Sequence, residues 1–296
     1  MDSQSRWLAI LGKLRVNRSQ GPAPHKPLLL LILLEMIENG DLQSRVLKLT
    51  PELAFRFSQF SIIVAHRRTQ RMDIRLPFFH LSSDTIWNTF SKDGIPSLDP
   101  KSTQYAEINK EFHLLAQDSA FRSKARAVLI QSYFEPAEQI ALASLVNISI
   151  SDVSNANAAV YETEASYQSG RDVRFRLDIV AAYNYTCALT GYRVTTIGGA
   201  SIIDAAHIHQ FSASRNNDPK NGIALCKNAH WMFDQGLWSL DEDYRIIVSH
   251  DSFEEAAHNQ KSLRDFQGSR IALPSNPKLW PDPQHLAWHR EFKFCA

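Results

Sequence analysis

The stretch DAAHIHQFSASRNNDPKNGIALCKNAHWMFDQG, residues 204–236, constrains this chain more than any other. By subtraction, His207, Asn221 and His230 fall 14 and 9 residues apart. A β-like run leads to His207, a polar loop closes on an Asn-Gly turn at Asn221, and a helix-like run continues through Phe233. Taken singly, each histidine has an ordinary structural explanation. Together they place two imidazoles and a carboxamide around one short strand–loop–helix unit, flanked by Asp204 and Asp234. Histidine changes charge near neutral pH and ligates divalent metals, so the residue types suit proton transfer beside a cation.

The whole chain is long enough for one large domain or two ordinary ones, at 296 residues with 44% hydrophobic content. Net charge is +1, so only local charge bears on nucleic-acid binding. The three cysteines, Cys187, Cys226 and Cys295, are too sparse for a disulfide framework and fit a reducing, cytoplasmic setting. The N-terminus lacks the basic and apolar regions of a signal peptide. The apolar run Pro27–Ile37 is too short to cross a bilayer and predicts a buried helix.

The first half reads as mainly helical. SRWLAILGKLRV has helical apolar spacing, SQGPAPHKP is a loop, and Pro27 opens a helix ending near Gly40. Thr50 and Pro51 are an N-cap and first helical residue. Residues 102–134 read as two more helices. Between them, HRRTQRMDIRLPFFHLSSDTIWNTF carries Arg67, Arg68, Arg71 and Arg75 with Asp73 among them, and Pro77 predicts a hairpin or ordered loop. Residues 148–170, rich in Ser, Asn and Ala, predict a linker between domains 1–147 and 171–296. A helix at VRFRLDIVAAYNY, a strand at YRIIVS and a C-terminal helix at PDPQHLAWHREFKF complete the second half.

The order AAHI…NGIALC…H…FDQG, within residues 174–248, resembles the HNH nucleases. That resemblance implies an α+β protein whose C-terminal part is a ββα-metal fold: a hairpin crossed by a helix, with one divalent ion between. It implies His207 as general base, Asn221 orienting it through a hydrogen bond, and His230 on the metal. Many members carry a ligand just before the base. Here that position is Ala206, and the nearest acid is Asp204, on the same strand face roughly 7 Å along. Asp204 is therefore a candidate ligand or a structural aspartate, and Asp234 a ligand or a surface partner. Mg2+ or Mn2+ suits oxygen-rich sites, while histidine also admits Ni2+, Co2+ or Zn2+. Many members hold a structural zinc with two CxxC pairs. Cys187-Ala-Leu-Thr190 and Cys226-Lys-Asn-Ala229 keep half the thiols, which predicts no structural zinc and two ordinary buried thiols. His209 and Arg215 are candidate DNA contacts.

APHKPLLLL followed by LPFFHLSSDTIW, within residues 5–135, resembles the DNA sulfur-binding domain of restriction enzymes that attack phosphorothioated DNA. The family's Tyr-Pro-Phe turn, which forms an apolar cup for sulfur, corresponds to Leu76, Pro77 and Phe78, with His80 beyond. The resemblance implies that His25 and Lys26 bind around the modified phosphate. The arginine cluster would then grip backbone or a guanine edge. The expectation is a metal-dependent, nucleoid-associated prokaryotic endonuclease whose partner is double-stranded DNA carrying phosphorothioate, with no membrane association. One HNH site cuts one strand, so a double-strand break needs a homodimer or two encounters. The alternatives are a nuclease reading methylated or unmodified DNA, and a DNA-binding protein with an impaired site.

Overall fold

The computed structural model describes residues 2–19, 21–67, 72–149, 151 and 160–296, with residues 160–167 described by their backbone alone. Two compact units result. The first comprises residues up to Val173 with Thr196–Ala200; the second comprises Arg174–Thr195 with Ser201–Ala296.

The first unit is organised by one helix. After α1 (Ser3–Leu11), helix α2 (His25–Glu38) buries every residue from Leu28 to Leu34 completely. An all-round apolar surface leaves a helix no face for water, so its neighbours surround it. A short strand β1 (Val46–Lys48) leads to α3 (Pro51–Phe60), where the Thr50 hydroxyl accepts the Leu53 N–H at 3.2 Å and Pro51 takes the first helical position. Helix α4 (Arg75–His80) follows, then β2 (Trp87–Phe90), β3 (Tyr105–Ile108), α5 (Lys110–Ala116), α6 (Ser119–Tyr133) and α7 (Pro136–Leu145). Helices α3, α4 and α6 pack on α2.

Two sequence expectations change here. Residues 75–80 are helical, not a hairpin, because Pro77 lies in the first turn, where a missing N–H removes no helical bond. The strands form an antiparallel sheet of order β1-β3-β2, pairing Leu47 and Thr89 with Ala106. Each has only three or four residues, too few for alternation to stand out in sequence.

Residues 148–170, expected as a linker, are helical from Val160. Helix α8 (Val160–Ala182) runs through the division between the units. The second unit continues with β4 (Ile203–His207), α9 (Phe211–Ser214), β5 (Gly222–Cys226) and α10 (Lys227–Asp234). Then come β6 (Trp238–Leu240), β7 (Ile246–Val248) and α11 (Pro283–Phe292). Strands β4 and β5 pair antiparallel from Ile203↔Cys226 to His207↔Gly222, and α10 packs across them. Ile203, Ala206, Ile223, Leu225, Ala229 and Phe233 are buried in this hairpin–helix unit. At the end of α10, Gly236 has φ +71°, and the Lys293 carbonyl lies 2.0 Å from where a Cβ would stand, so only glycine admits the C-terminal chain there. No described helix is long and apolar enough to cross a membrane.

His289 pins α11. Its ring stacks on Phe233 at 3.8 Å, Nε2–H donates to the Phe233 carbonyl at 3.2 Å, and Nδ1 takes the Ser239 hydroxyl proton at 2.8 Å. Burial pushes its pKa down to about 4 from an ordinary 6.5. The fold therefore favours the neutral ring, and the unfolded chain binds more protons between those values. Stability from this residue should be complete above pH 6.5 and be lost as pH falls toward 4. Melting temperatures measured across that range should fall more steeply for wild type than for His289→Gln.

Candidate functional site

The hairpin–helix unit is assembled around the end of β4. His207 pairs in register with Gly222, and the ring of Phe175 from α8 lies flat against its imidazole at 4.0 Å and 9°. Gly222 permits this approach. A Cβ there would stand 2.4 Å from Ile179 Cδ1 and 2.8 Å from Phe175 Cζ. The His207 Nε2 lies 2.9 Å from Asn217 Oδ1. Asn221 is completely buried. Its amide donates to the carbonyls of His209 (2.9 Å) and Asn216 (3.1 Å) and accepts the His209 N–H at 2.8 Å. Asn221 therefore fastens the loop that carries Asn217, and Asn217 meets the imidazole directly.

His230 is half-buried on α10, its Nε2 3.4 Å from Asp234 Oδ2 one turn later. Asp204 is engaged elsewhere: Oδ1 meets Arg176 at 2.5 Å and Oδ2 meets Lys227 at 3.4 Å. Among the described residues, the group of three donors close enough to share an ion is His66, Glu135 and Glu138 in the first unit, not the hairpin–helix residues. There Glu138 is held by the Arg67 guanidinium. In the hairpin–helix unit the donors that the fold brings together are His230 and Asp234, a nitrogen and a carboxylate that suit a divalent ion completed by water or phosphate oxygen. His209 stacks on Trp288 at 4.0 Å, and the Arg215 guanidinium lies over Phe211 at 5.5 Å.

In the first unit the start of α2 and the exposed side of α4 form a cavity of about 520 Å³. His25 and Lys26 line it from α2; Leu76, Pro77 and His80 line it from α4. Leu76 stays half exposed, an apolar side chain facing outward. Lys26 is held in place: Nζ lies 2.5 Å from Asp84 Oδ2 and 3.2 Å from Ser83 Oγ, and Asp84 also accepts the Arg15 N–H at 2.8 Å. Arg15 and Asn17 complete the wall and had no signal in the sequence beyond their polarity.

Other expected members are elsewhere. Phe78 is fully buried against Trp87 at 5.2 Å, where it supports the cavity from below. Arg67 donates to both oxygens of Glu138, and to the carbonyls of Pro22 and Tyr133 at 3.1 and 3.3 Å. It is a strut, because four acceptors fixed by the fold hold the guanidinium more firmly than a solvated phosphate would. Arg75 is paired with Asp73 at 2.6 Å. Arg68 and Arg71 lie outside the described residues.

Both halves of the chain have counterparts among known families. Residues 187–241 match the family model of the HNH endonucleases, and residues 4–149 match that of the ScoMcrA-like DNA sulfur-binding domain. The chain joins an HNH endonuclease domain to a DNA sulfur-binding domain. A solved structure described as a modification-dependent TagI restriction endonuclease is similar over 42% of this chain and 38% of its own, at 16% identity and a TM-score of 0.31. The similarity thus spans well under half of that protein. No curated protein matches the chain.

The HNH domain depends on the close approach at Gly222. Gly222→Ala should destabilise it by about 2 kcal/mol through overpacking against α8, measured by urea unfolding. The His207 ring resonances should shift as Phe175 is displaced; an unchanged spectrum would contradict the stacking role.

Proposed function

We propose that the protein is a metal-dependent restriction endonuclease that recognises phosphorothioated DNA through the α2–α4 cavity and cleaves it in the HNH domain. The observation that carries the reading is that cavity: an outward Leu76 and a largely buried Pro77 line it beside His25 and the anchored Lys26. Sulfur is larger, more polarizable and a poorer hydrogen-bond acceptor than oxygen. An apolar wall accepts it where a phosphate oxygen would lose its hydrogen bonds. The cations beside the wall neutralise the rest of the group. Leu76 gives the cup an aliphatic side and no hydroxyl. Arg15 and Asn17 replace Arg67 as the polar rim.

In the HNH domain, His207 takes the proton of the attacking water. Phe175 holds the ring plane, and Asn217 accepts at Nε2, which places the lone pair of the neutral ring on Nδ1. Asn221 keeps Asn217 in position through the loop. His230 and Asp234 would hold one divalent ion, Mg2+ or Mn2+ by carboxylate preference or a later transition metal by histidine preference, and it would supply positive charge to the phosphate and leaving oxygen. Asp204 supports the strand through Arg176 and Lys227. One such site cuts one strand, so cleavage of both takes two protomers or two encounters. The protein then acts on the nucleoid in the cytoplasm of a prokaryote.

The reading is tested with His207→Ala protein, which binds without cutting. At near-physiological salt it should bind a duplex with one Rp phosphorothioate at least tenfold more tightly than the unmodified duplex, about 1.4 kcal/mol. Pro77→Ala should remove that preference. Equal affinity for both duplexes sinks sulfur recognition, and tighter binding to methylated DNA would redirect it.

The role of Asn217 gives a separate outcome. In Asn217→Asp, a carboxylate beside the imidazole stabilises its protonated form. The base then stays protonated to higher pH, and the acid limb of kcat/KM should move up by about one pH unit. Asn217→Leu should lower kcat at least tenfold with KM little changed.

A further inference from the structure

The two cysteines left from the CxxC positions meet in the fold. Cys187 is fully buried at the head of a turn closed by Gly191 N–H to Cys187 carbonyl at 2.9 Å and Cys187 N–H to Tyr192 carbonyl at 3.0 Å. Cys226 ends β5 and is the N-cap of α10. The Ala188 N–H donates to the Ala224 carbonyl at 2.8 Å, which fixes the two segments, and with them Cys187 and Cys226, side by side. Thr190 and Ala229 stand where further sulfurs would complete a metal set, and Thr190 Oγ1 is 4.0 Å from Cys226 Sγ.

Access is asymmetric. Cys226 is half-buried and lines a cavity of about 710 Å³ together with Thr190 and Trp231, whereas Cys187 is closed off behind it. The contact with Cys226 draws the pKa of the Cys187 thiol down, and the same contact with burial pushes that of Cys226 up. Cys295 is exposed and remote in sequence.

We propose that Cys187 and Cys226 are an oxidation site that closes to a reversible disulfide, a two-sulfur staple across the HNH domain. The oxidant is a small-molecule disulfide. The Cys226 sulfur, as thiolate, attacks one sulfur of the oxidant; that S–S bond breaks, and the departing thiolate takes up the proton that Cys226 lost. The Cys187 thiol then attacks Cys226 and gives up its proton to the departing sulfur, forming the protein disulfide and releasing the second small thiol. The protein loses two hydrogens and the oxidant gains them. The link spans 39 residues by subtraction and encloses β4, His207 and Asn221. It restricts the unfolded chain and ties the start of α10 to the turn before β4.

Full-length protein is equilibrated with excess oxidised or reduced glutathione, denatured, labelled with N-ethylmaleimide and weighed intact. Three labels are expected after reduction and one, at Cys295, after oxidation, with a peptide joining residues 187 and 226. The oxidised protein should melt several degrees higher, and this gain should vanish in Cys187→Ser and in Cys226→Ser. Three labels after oxidation, a stable glutathione adduct at Cys226, or a link through Cys295 would each overturn the proposal. The wild-type label count decides even where a serine variant does not fold.

Discussion

The Asn221 amide is sealed from solvent, and its hydrogen bonds end on the backbone of the loop between β4 and β5. That loop has little apolar material of its own, since Phe211 is its single large apolar side chain between His209 and Pro219. Buried hydrogen bonds replace hydrophobic packing here, and a buried donor or acceptor left unpaired costs about 1–3 kcal/mol. The loop is thereby held in one arrangement, which brings Asn217 to the imidazole of His207. The other side of that ring rests on Phe175, an approach that exists because position 222 has no side chain. One polar clamp and one missing methyl group set the plane of the histidine.

The sulfur-binding domain solves a different problem. On the proposed reading, a cup for a soft, weakly hydrogen-bonding atom must expose apolar surface without collapsing. Fully buried α2 gives a rigid base, and the anchored Lys26–Asp84 pair keeps a charge at the cavity edge rather than free in solvent. Phe78 and Trp87 pack beneath α4, so Leu76 and Pro77 stay at the wall. Arg67 contributes through Glu138, by joining the segment that follows α3 to the start of α7. Its charge therefore serves the fold.

Much of this was legible. Thr50 and Pro51 open α3 as their chemistry demands, the apolar run of α2 is the core, and residues 203–234 form a hairpin and helix. The residues His25, Lys26, Leu76, Pro77 and His80 share one cavity although some 50 residues separate the two groups. Other features were not legible. The β1-β3-β2 sheet is built from strands too short for a periodic signal, and α4 begins where a proline suggested a loop. Nothing in RNND distinguishes Asn217 from Asn216, since both are polar loop residues until the Asn221 clamp aligns one with the ring.

The sequence by itself determined the chemical types and their order: a histidine at a strand end, a glycine opposite, a second histidine on a helix, and an apolar turn after a basic loop. These follow from local spacing, because strand and helix periodicity assign faces without knowledge of distant residues. Tertiary structure decided the partners. Asp204 was drawn to Arg176 and Lys227, Arg67 to Glu138, and Cys187 to Cys226. A charged or polar group takes the partner that packing brings within about 3 Å, and that distance is set by how α8, the hairpin and the helices close on one another.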